Sequence, residues 1–177
     1  RHGTVLSILM VALLAAAISA NACTSVPVSK GASADGSVMT AHTCDGWYDA
    51  RTFVVPGQTH PEGAMFTCYK GLLHSDRAEP IKIGEIPEAP VTYTYFYAGY
   101  PYMNEHGVIM GETTIGNRRE LSTDEGLLYI ETLQILGLQR AKTAREAIQI
   151  MGSLAEEYGY VDGGECLTVG DQNEIWH

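Results

Sequence analysis

The sequence is poor in basic residues and has no cluster of them: 11 Lys and Arg stand against 21 Asp and Glu, for a formal net charge of −10. Nucleic acids and anionic membrane surfaces attract basic patches, so neither is an expected partner. The four cysteines show no CxxC spacing, and the six histidines are dispersed. We therefore expect neither a metal site nor a cofactor.

Long apolar runs are also scarce. One extends from Val5 to Ile18, within a segment 1–22 that has no acidic residue and one Arg. This run is as long as the apolar region of a signal peptide and shorter than the roughly 20 residues that span a bilayer. Ala20-x-Ala22 then resembles a signal-peptidase site. We predict a signal peptide over 1–22, cut before Cys23, and export to the periplasm or the extracellular medium; the alternative is a buried N-terminal helix.

The rest of the chain, residues 23–177, is long enough for one sizeable core. The sequence starts at Arg1 and stops inside a predicted strand, so we expect the N-terminal part of a longer domain, truncated at its C-terminal end. An even number of cysteines in an exported protein permits disulfides. If Cys23 is a nucleophile, at most one disulfide can form among Cys44, Cys68 and Cys166.

The segment 23–45 predicts a β-hairpin. Val26 and Val28 alternate with polar residues, 30–36 holds turn formers, and 37–43 is again extended. The hairpin would bring Cys23 close to the end of the partner strand, at 42–45.

Further along, strands are predicted at 52–55, 65–69, 91–98 and 108–115, with a turn at 104–107. Tyrosines 93, 95 and 97 share one strand face, which favours packing of the sheet over a pocket. Capping boxes at Ser122-x-x-Glu125 and Thr143-x-x-Glu146 predict two helices, each burying one face. A last hairpin turns at 170–173. This order of elements predicts an antiparallel, layered α+β domain.

A cysteine released as an N-terminus carries a thiol and an α-amine on one residue. The ordinary pKa values of the two groups, about 8.5 and 7.7–8.0, are close enough for the amine to take the proton of the thiol. The amine then serves as the base of its own nucleophile. Asp45, at the end of the partner strand, is placed to hold the ammonium form. From the residues alone, a turn role is the better interpretation of Asp45, which precedes Gly46.

Four segments, "ACTS", "SADGSVMTAHTCD", "NEHGVIMGETTI" and "GECLTVGD", resemble the cysteine-dependent dipeptidase family of the N-terminal-nucleophile (Ntn) hydrolases, which is related to the bile-salt hydrolases and penicillin V acylases. The resemblance extends from Cys23 to the end of the chain. It implies a four-layer αββα sandwich, incomplete in this chain, and hydrolysis of dipeptides through a thioester.

Carried over by position, the resemblance makes Cys23 the nucleophile and Asp45 the carboxylate near its amine. Thr114 falls at an oxyanion-hole position where relatives carry Asn. His42 falls where several relatives have an Arg that contacts the nucleophile; it is otherwise a surface strand residue. Further site residues would lie beyond residue 177, which leaves the activity of this segment alone open.

Two alternatives stay open. "ANAC" is close to a lipobox, so the chain is alternatively a non-enzymatic lipoprotein acylated on Cys23 and attached to a membrane; Ala20 and Asn21 fit that motif poorly. The second alternative is an amidohydrolase of the bile-salt hydrolase or penicillin acylase type. The expected partners are dipeptide substrates, and assembly into a homo-oligomer is compatible with the sequence.

Overall fold

Alternating and β-branched segments form most of the chain, and helices follow in its second half. The computed structural model describes residues 23–177 except 45, 47, 50, 72 and 74–78. The strands are β1 (Ser25–Val28), β2 (Met39–His42), β3 (Phe53–Val55), β4 (Met65–Lys70), β5 (Ile81–Pro87), β6 (Tyr95–Ala98), β7 (Tyr100–Asn104), β8 (Ile109–Ile115), β9 (Gly164–Gly170) and β10 (Ile175–Trp176). The helices are α1 (Ile130–Arg140) and α2 (Ala144–Tyr158), and a short 3₁₀ helix spans Arg119–Leu121. Among the described residues, no helix has the length and apolar character needed to cross a membrane.

The strands form one large sheet and two hairpins. The large sheet has the order β10-β9-β8-β7-β6-β3, and every neighbouring pair is antiparallel. β1 pairs with β2, and β4 pairs with β5, each as a separate two-stranded sheet. The predicted hairpins at 23–45 and at the C-terminal end are therefore confirmed.

Strand β8 shows which layer covers each face of the large sheet. Met110 faces the helices, because its Cε atom lies 3.0 Å from the point that a Cβ on Gly137 of α1 would occupy. The next residue, Gly111, faces the β1–β2 hairpin instead, where the His42 ring packs against it. Side chains alternate between the two faces of a strand, so the helices and the β1–β2 hairpin lie on opposite faces.

Helix α1 differs from the prediction in its start and in its burial. No helix begins at the Ser122 capping box: α1 begins at Ile130, after the extended residue Tyr129. The helix is buried on nearly all sides, since every residue from Ile130 to Gln139 is buried, so the prediction of one buried face was wrong. α1 packs against α2 and the large sheet, and its Arg140 binds the carbonyl of Pro87 in the β4–β5 hairpin at 3.2 Å.

Helix α2 begins where its capping box predicts. The Thr143 hydroxyl accepts the backbone N–H of Glu146 at 3.2 Å. Asp171, which is buried in the last turn, accepts the N–H of Ala144 at 2.9 Å and those of Asn173 and Glu174. These hydrogen bonds lower the pKa of Asp171 and attach the last hairpin to the start of α2.

Asn104, at the end of β7, connects the β7–β8 turn to the end of α1. Its amide donates to the carbonyls of Leu138 and Ala141 at 2.8 and 2.7 Å, and its side-chain oxygen accepts the N–H groups of His106 and Val108. All these bonds are made by a side chain only 2% exposed. Asn104 therefore has a structural role.

The architecture confirms the α+β class. Tyr95 and Tyr97 are buried in the core with the leucines of α1, which confirms the packing interpretation for these two tyrosines. Tyr93 precedes β6 and is half-buried, with its ring against His106. The described residues form a helical layer, a six-stranded sheet and a two-stranded hairpin layer. The four-layer arrangement stays a prediction, because a second helical layer is not found in this part of the chain.

Candidate functional site

The β1–β2 hairpin places Cys23 opposite Cys44. Ser25 pairs with His42 in the ladder, and the N–H of Thr43 donates to the carbonyl of Thr24 at 2.9 Å. The same register, extended by two residues, sets Cys44 across from Cys23. Because alternate residues share a face, the side chains of both cysteines are on the inner face of the hairpin, which faces the large sheet.

A buried glutamate completes a close group with these cysteines. The sulfurs of Cys23 and Cys44 and a carboxylate oxygen of Glu112 all lie within 4.8 Å of one another. Glu112 is on β8 and is 2% exposed, while both cysteines are half-buried. By the alternation along β8, Glu112 shares the face of Met110; strands β7 and β8 pair only at Met103 and Ile109, so beyond this pair the Glu112 carboxylate can reach the cysteines on the hairpin side.

Two side-chain contacts fix the hairpin on the sheet. The Ser25 hydroxyl forms a short hydrogen bond with the Thr113 hydroxyl of β8. The His42 ring packs directly over Gly111, where a Cβ would lie 2.8 Å from its Nδ1 atom. Gly111 thus lets the strand that precedes Cys44 approach β8 closely.

The carboxyl group of Glu165 lies close enough to that of Glu112 for the two acids to interact. Burial, this contact with Glu112 and the charge of Asp162 raise the pKa of Glu165 to about 8, against an opposing hydrogen bond from Thr114. The Oε2 atoms of both glutamates are buried and have no hydrogen-bond donor among the described residues. Through Glu112, a buried acidic group thus adjoins Cys23.

Two half-buried tyrosines lie beside this group. The rings of Tyr48 and Tyr100 pack at 5.5 Å between centroids. Burial and a hydrogen bond with Cys44 raise the pKa of Tyr48 to about 12, and burial and the charge of Glu112 raise that of Tyr100 further. Both phenols are therefore neutral, and charges beside them act in a medium of reduced dielectric constant.

The predicted site residues are brought together in part. Cys23 is in the group just described, and His42 is two residues before Cys44 on the same face of the hairpin, beside a cavity of about 350 Å³. Thr114 is exposed, pairs across the sheet with Glu165 and donates its hydroxyl to that carboxyl group. Asp45 lies outside the described residues, so its role stays a prediction.

Sequence reasoning missed Cys44, Glu112 and Glu165. Cys44 was detectable, because the predicted hairpin register already sets it opposite Cys23. Glu112 gave a weaker signal: it is an acidic residue within a strand of small and apolar residues, which indicates either a solvent-facing position or a buried functional one. The contact of Glu112 with Glu165 depends on the pairing of β8 with β9 and has no local signal.

Two thiols and a carboxylate are donors that Zn²⁺ accepts, so Cys23, Cys44 and Glu112 form a group able to hold such an ion. No spacing motif in the sequence indicates this group, since Glu112 is far along the chain. Cys23, the predicted nucleophile, is half-buried in this same group.

Known proteins with similar sequences are peptidases. A "Probable dipeptidase" of Latilactobacillus sakei is 28% identical over 168 residues, 90% of this chain and 35% of that protein. A "Dipeptidase" of Bifidobacterium longum and a "Probable dipeptidase A" of Streptococcus pyogenes are each 29% identical over 176 residues, 88% of this chain and 32% and 34% of those proteins. The chain thus spans about a third of the length of these curated relatives.

The family comparison covers nearly the whole chain. The model of the family described as Peptidase family C69 matches residues 22–177, beginning next to Cys23 and including β1–β10 and both helices. This match agrees with the resemblance of the four segments around Cys23, His42, Glu112 and Cys166. The chain belongs to Peptidase family C69.

Proposed function

We propose that this chain is the N-terminal part of an exported dipeptidase that hydrolyses dipeptides with Cys23 as an N-terminal nucleophile. The observation that carries the proposal is the position of Cys23: it precedes β1, faces Cys44 and Glu112, and adjoins the first residue of the family match. The names of the relatives as dipeptidases support the substrate class. Residues 1–22 are the proposed signal peptide, and their removal frees the α-amine of Cys23.

The first half of the reaction forms a thioester. The α-amine of Cys23 takes the thiol proton, and the sulfur attacks the carbonyl carbon of the peptide bond. The tetrahedral intermediate then collapses: the C–N bond breaks, and the proton held by the α-amine passes to the leaving amine. The C-terminal amino acid departs, and the N-terminal residue remains as a thioester on Cys23.

The second half of the reaction hydrolyses the thioester and releases the acyl group. The α-amine takes a proton from water, and the resulting hydroxide attacks the thioester carbon. The C–S bond breaks, the proton returns to the sulfur, and the N-terminal amino acid leaves as a free acid. In this scheme Asp45 holds the ammonium form, and Thr114 and His42 are the proposed oxyanion or substrate contacts.

Full-length protein purified after export tests the proposal. We expect turnover of dipeptides by the wild type and no measurable turnover by Cys23→Ala, while Cys166→Ser, the matched control thiol, retains activity. The Cys166 sulfur lies 3.3 Å from Nε2 of His177, in a separate group. Dipeptide hydrolysis by Cys23→Ala at the wild-type rate contradicts the proposed nucleophile.

Two further measurements separate the alternatives. N-terminal sequencing should give Cys23 first, and protein that retains residues 1–22 should be inactive because its amine is in a peptide bond. A diacylglyceryl mass on Cys23 would instead establish the lipoprotein. Hydrolysis of a conjugated bile salt or penicillin V in preference to every dipeptide would move the substrate to the acylase class.

A further inference from the structure

The carboxyl group of Glu112 lies beside the proposed nucleophile and interacts with that of Glu165, and neither has a basic partner among the described residues. In the described part of the chain, the ion pairs within 4.0 Å involve other acidic residues. The Oε2 atoms of both glutamates are buried and lack a donor among those residues. A buried acid pair is stabilised by a shared proton or by a cation that binds both groups.

The distance from Cys23 indicates which cation the pair can reach. In a dipeptide, the α-ammonium nitrogen is two bonds from the scissile carbonyl carbon, a separation of about 2.5 Å. A sulfur attacks that carbon from about 3–3.5 Å, so the ammonium group lies within roughly 6 Å of the sulfur. A carboxylate oxygen of Glu112 lies within 4.8 Å of Cys23 Sγ. That oxygen can therefore accept a hydrogen bond of about 2.8 Å from the ammonium group.

We infer that Glu112 and Glu165 bind the free α-ammonium group of the substrate, and so select peptides with an unblocked N-terminus. This inference rests on the proposed function and adds the substrate contact that separates a dipeptidase from an acylase. Glu112 makes the direct contact. Glu165, held by the Thr114 hydroxyl, accepts a second hydrogen bond from the same group.

Charge and desolvation agree with this assignment. In the described part of the chain, neither carboxyl group has a cationic side chain within ion-pair distance, so an ammonium group of the substrate would supply the missing cation. Tyr100 lies close enough for the charge of Glu112 to raise its pKa, so the ion pair would form beside a buried, neutral ring.

The α-amine of Cys23 itself is the competing cation, and a matched pair of substrates distinguishes the two. Alanyl-alanine has the α-ammonium group, and propionyl-alanine has a hydrogen in its place. The experiment measures kcat/KM for both with full-length enzyme that begins at Cys23, in the wild type, Glu112→Gln, Glu112→Asp and Glu131→Gln. Glu131 is a matched control because, like Glu112, it is a buried glutamate, and its carboxylate accepts the N–H of Leu73 away from the cysteines.

We expect Glu112→Gln to lower kcat/KM for alanyl-alanine by about 10- to 100-fold, the loss of one charge-assisted hydrogen bond. Propionyl-alanine should be hydrolysed slowly by wild type and variant alike. Glu112→Asp keeps the charge and should lose less than Glu112→Gln, and Glu131→Gln should keep the wild-type ratio between the substrates. Equal losses on both substrates would assign Glu112 to the Cys23 amine, and no loss would remove it from the site; either result overturns the inference.

Binding to Cys23→Ala gives a readout that needs no turnover. Calorimetry should show that alanyl-alanine binds more tightly than propionyl-alanine, and that adding Glu112→Gln removes the difference. If the wild type hydrolyses neither compound but this binding difference is present, the proposed function fails and the ammonium site stands. If the wild type hydrolyses dipeptides and the binding difference is absent, the inference fails and the proposed function stands.

Discussion

Substitution of Gly111 by Ala tests how the hairpin holds the nucleophile. A Cβ at this position would lie 2.8 Å from Nδ1, 3.2 Å from Cγ and 3.4 Å from Cε1 of His42. Ordinary contacts between such atoms begin near 3.5 Å, so the ring must move by about 0.7 Å. The backbone itself accepts Ala, because Gly111 is not among the glycines with a positive φ.

The displacement should reach Cys23, because His42 pairs with Ser25 and is two residues from Cys44. A shift of about 1 Å in a reacting group lowers a rate by about 10²-fold, so we expect kcat/KM for a dipeptide to fall by about 10- to 100-fold. Overpacking should lower the free energy of unfolding by about 1–3 kcal/mol. Steady-state kinetics and urea denaturation measure the two effects.

Two comparisons make the result specific. Gly116→Ala is the matched control, since a Cβ there has no atom within 4 Å, and it should behave as the wild type. In a double-mutant cycle, His42→Ala in the Gly111→Ala background should recover the stability lost through the clash. Wild-type activity and stability in Gly111→Ala would refute the reasoning and show that the ring moves into the adjoining cavity without displacing the hairpin.

The other predictions concern single groups. Asp45→Asn should lower kcat/KM by about 10- to 100-fold and shift the acidic limb of the pH–rate profile to lower pH. If Asp45 is only a turn residue, the substitution would change stability and leave the kinetics unchanged. Burial raises the pKa values of Glu165 and Glu131 from 4.5 to about 8, so between these pH values the native state binds more protons than the unfolded state. The thermal midpoint of unfolding should therefore fall as pH rises from about 5 to 8, and a midpoint that rises would contradict these shifts. Asn104→Asp should lower the free energy of unfolding by about 2–4 kcal/mol, measured in urea, because two carbonyls lose their donor and face a charge. Zn²⁺ should inhibit turnover reversibly, and Cys44→Ser should weaken that inhibition; equal inhibition of both proteins would exclude the thiol pair as the binding group.

The elements that local patterns determine were predictable from the sequence. The β1–β2 hairpin, the capped start of α2 at Thr143 and the last hairpin have turn or cap residues that act within a few positions. The start of α1 was missed because the Ser122 box is followed by residues that make no helix, and α1 begins at Ile130 instead. Strands β5 and β7 were also missed, because Ile81–Pro87 and Tyr100–Asn104 are paired by tertiary contacts and lack a clean alternation.

The candidate site was predictable only where it depends on one hairpin. The apolar run and the Ala20-x-Ala22 site that precede Cys23 identified this residue. The register of β1 with β2 then places Cys44 opposite Cys23. Glu112 and Glu165 could not be found in this way, because their contact arises from the pairing of β8 with β9. Burial of two acidic side chains together is costly in general, so local propensity gives no reason to expect it.

The alternation of side chains along β1 and β2 determines where residues can be inserted into this hairpin. Cys23 and Cys44 share one face only in the present register, so insertion of one residue within β1 would turn Cys23, and within β2 would turn Cys44, to the opposite face. The turn between the strands, 29–38, is largely exposed, and its Asp35 side chain bonds only within the turn. Segments of this kind accept insertions, so a peptide tag or a longer natural loop can be placed in the turn while the nucleophile keeps its orientation.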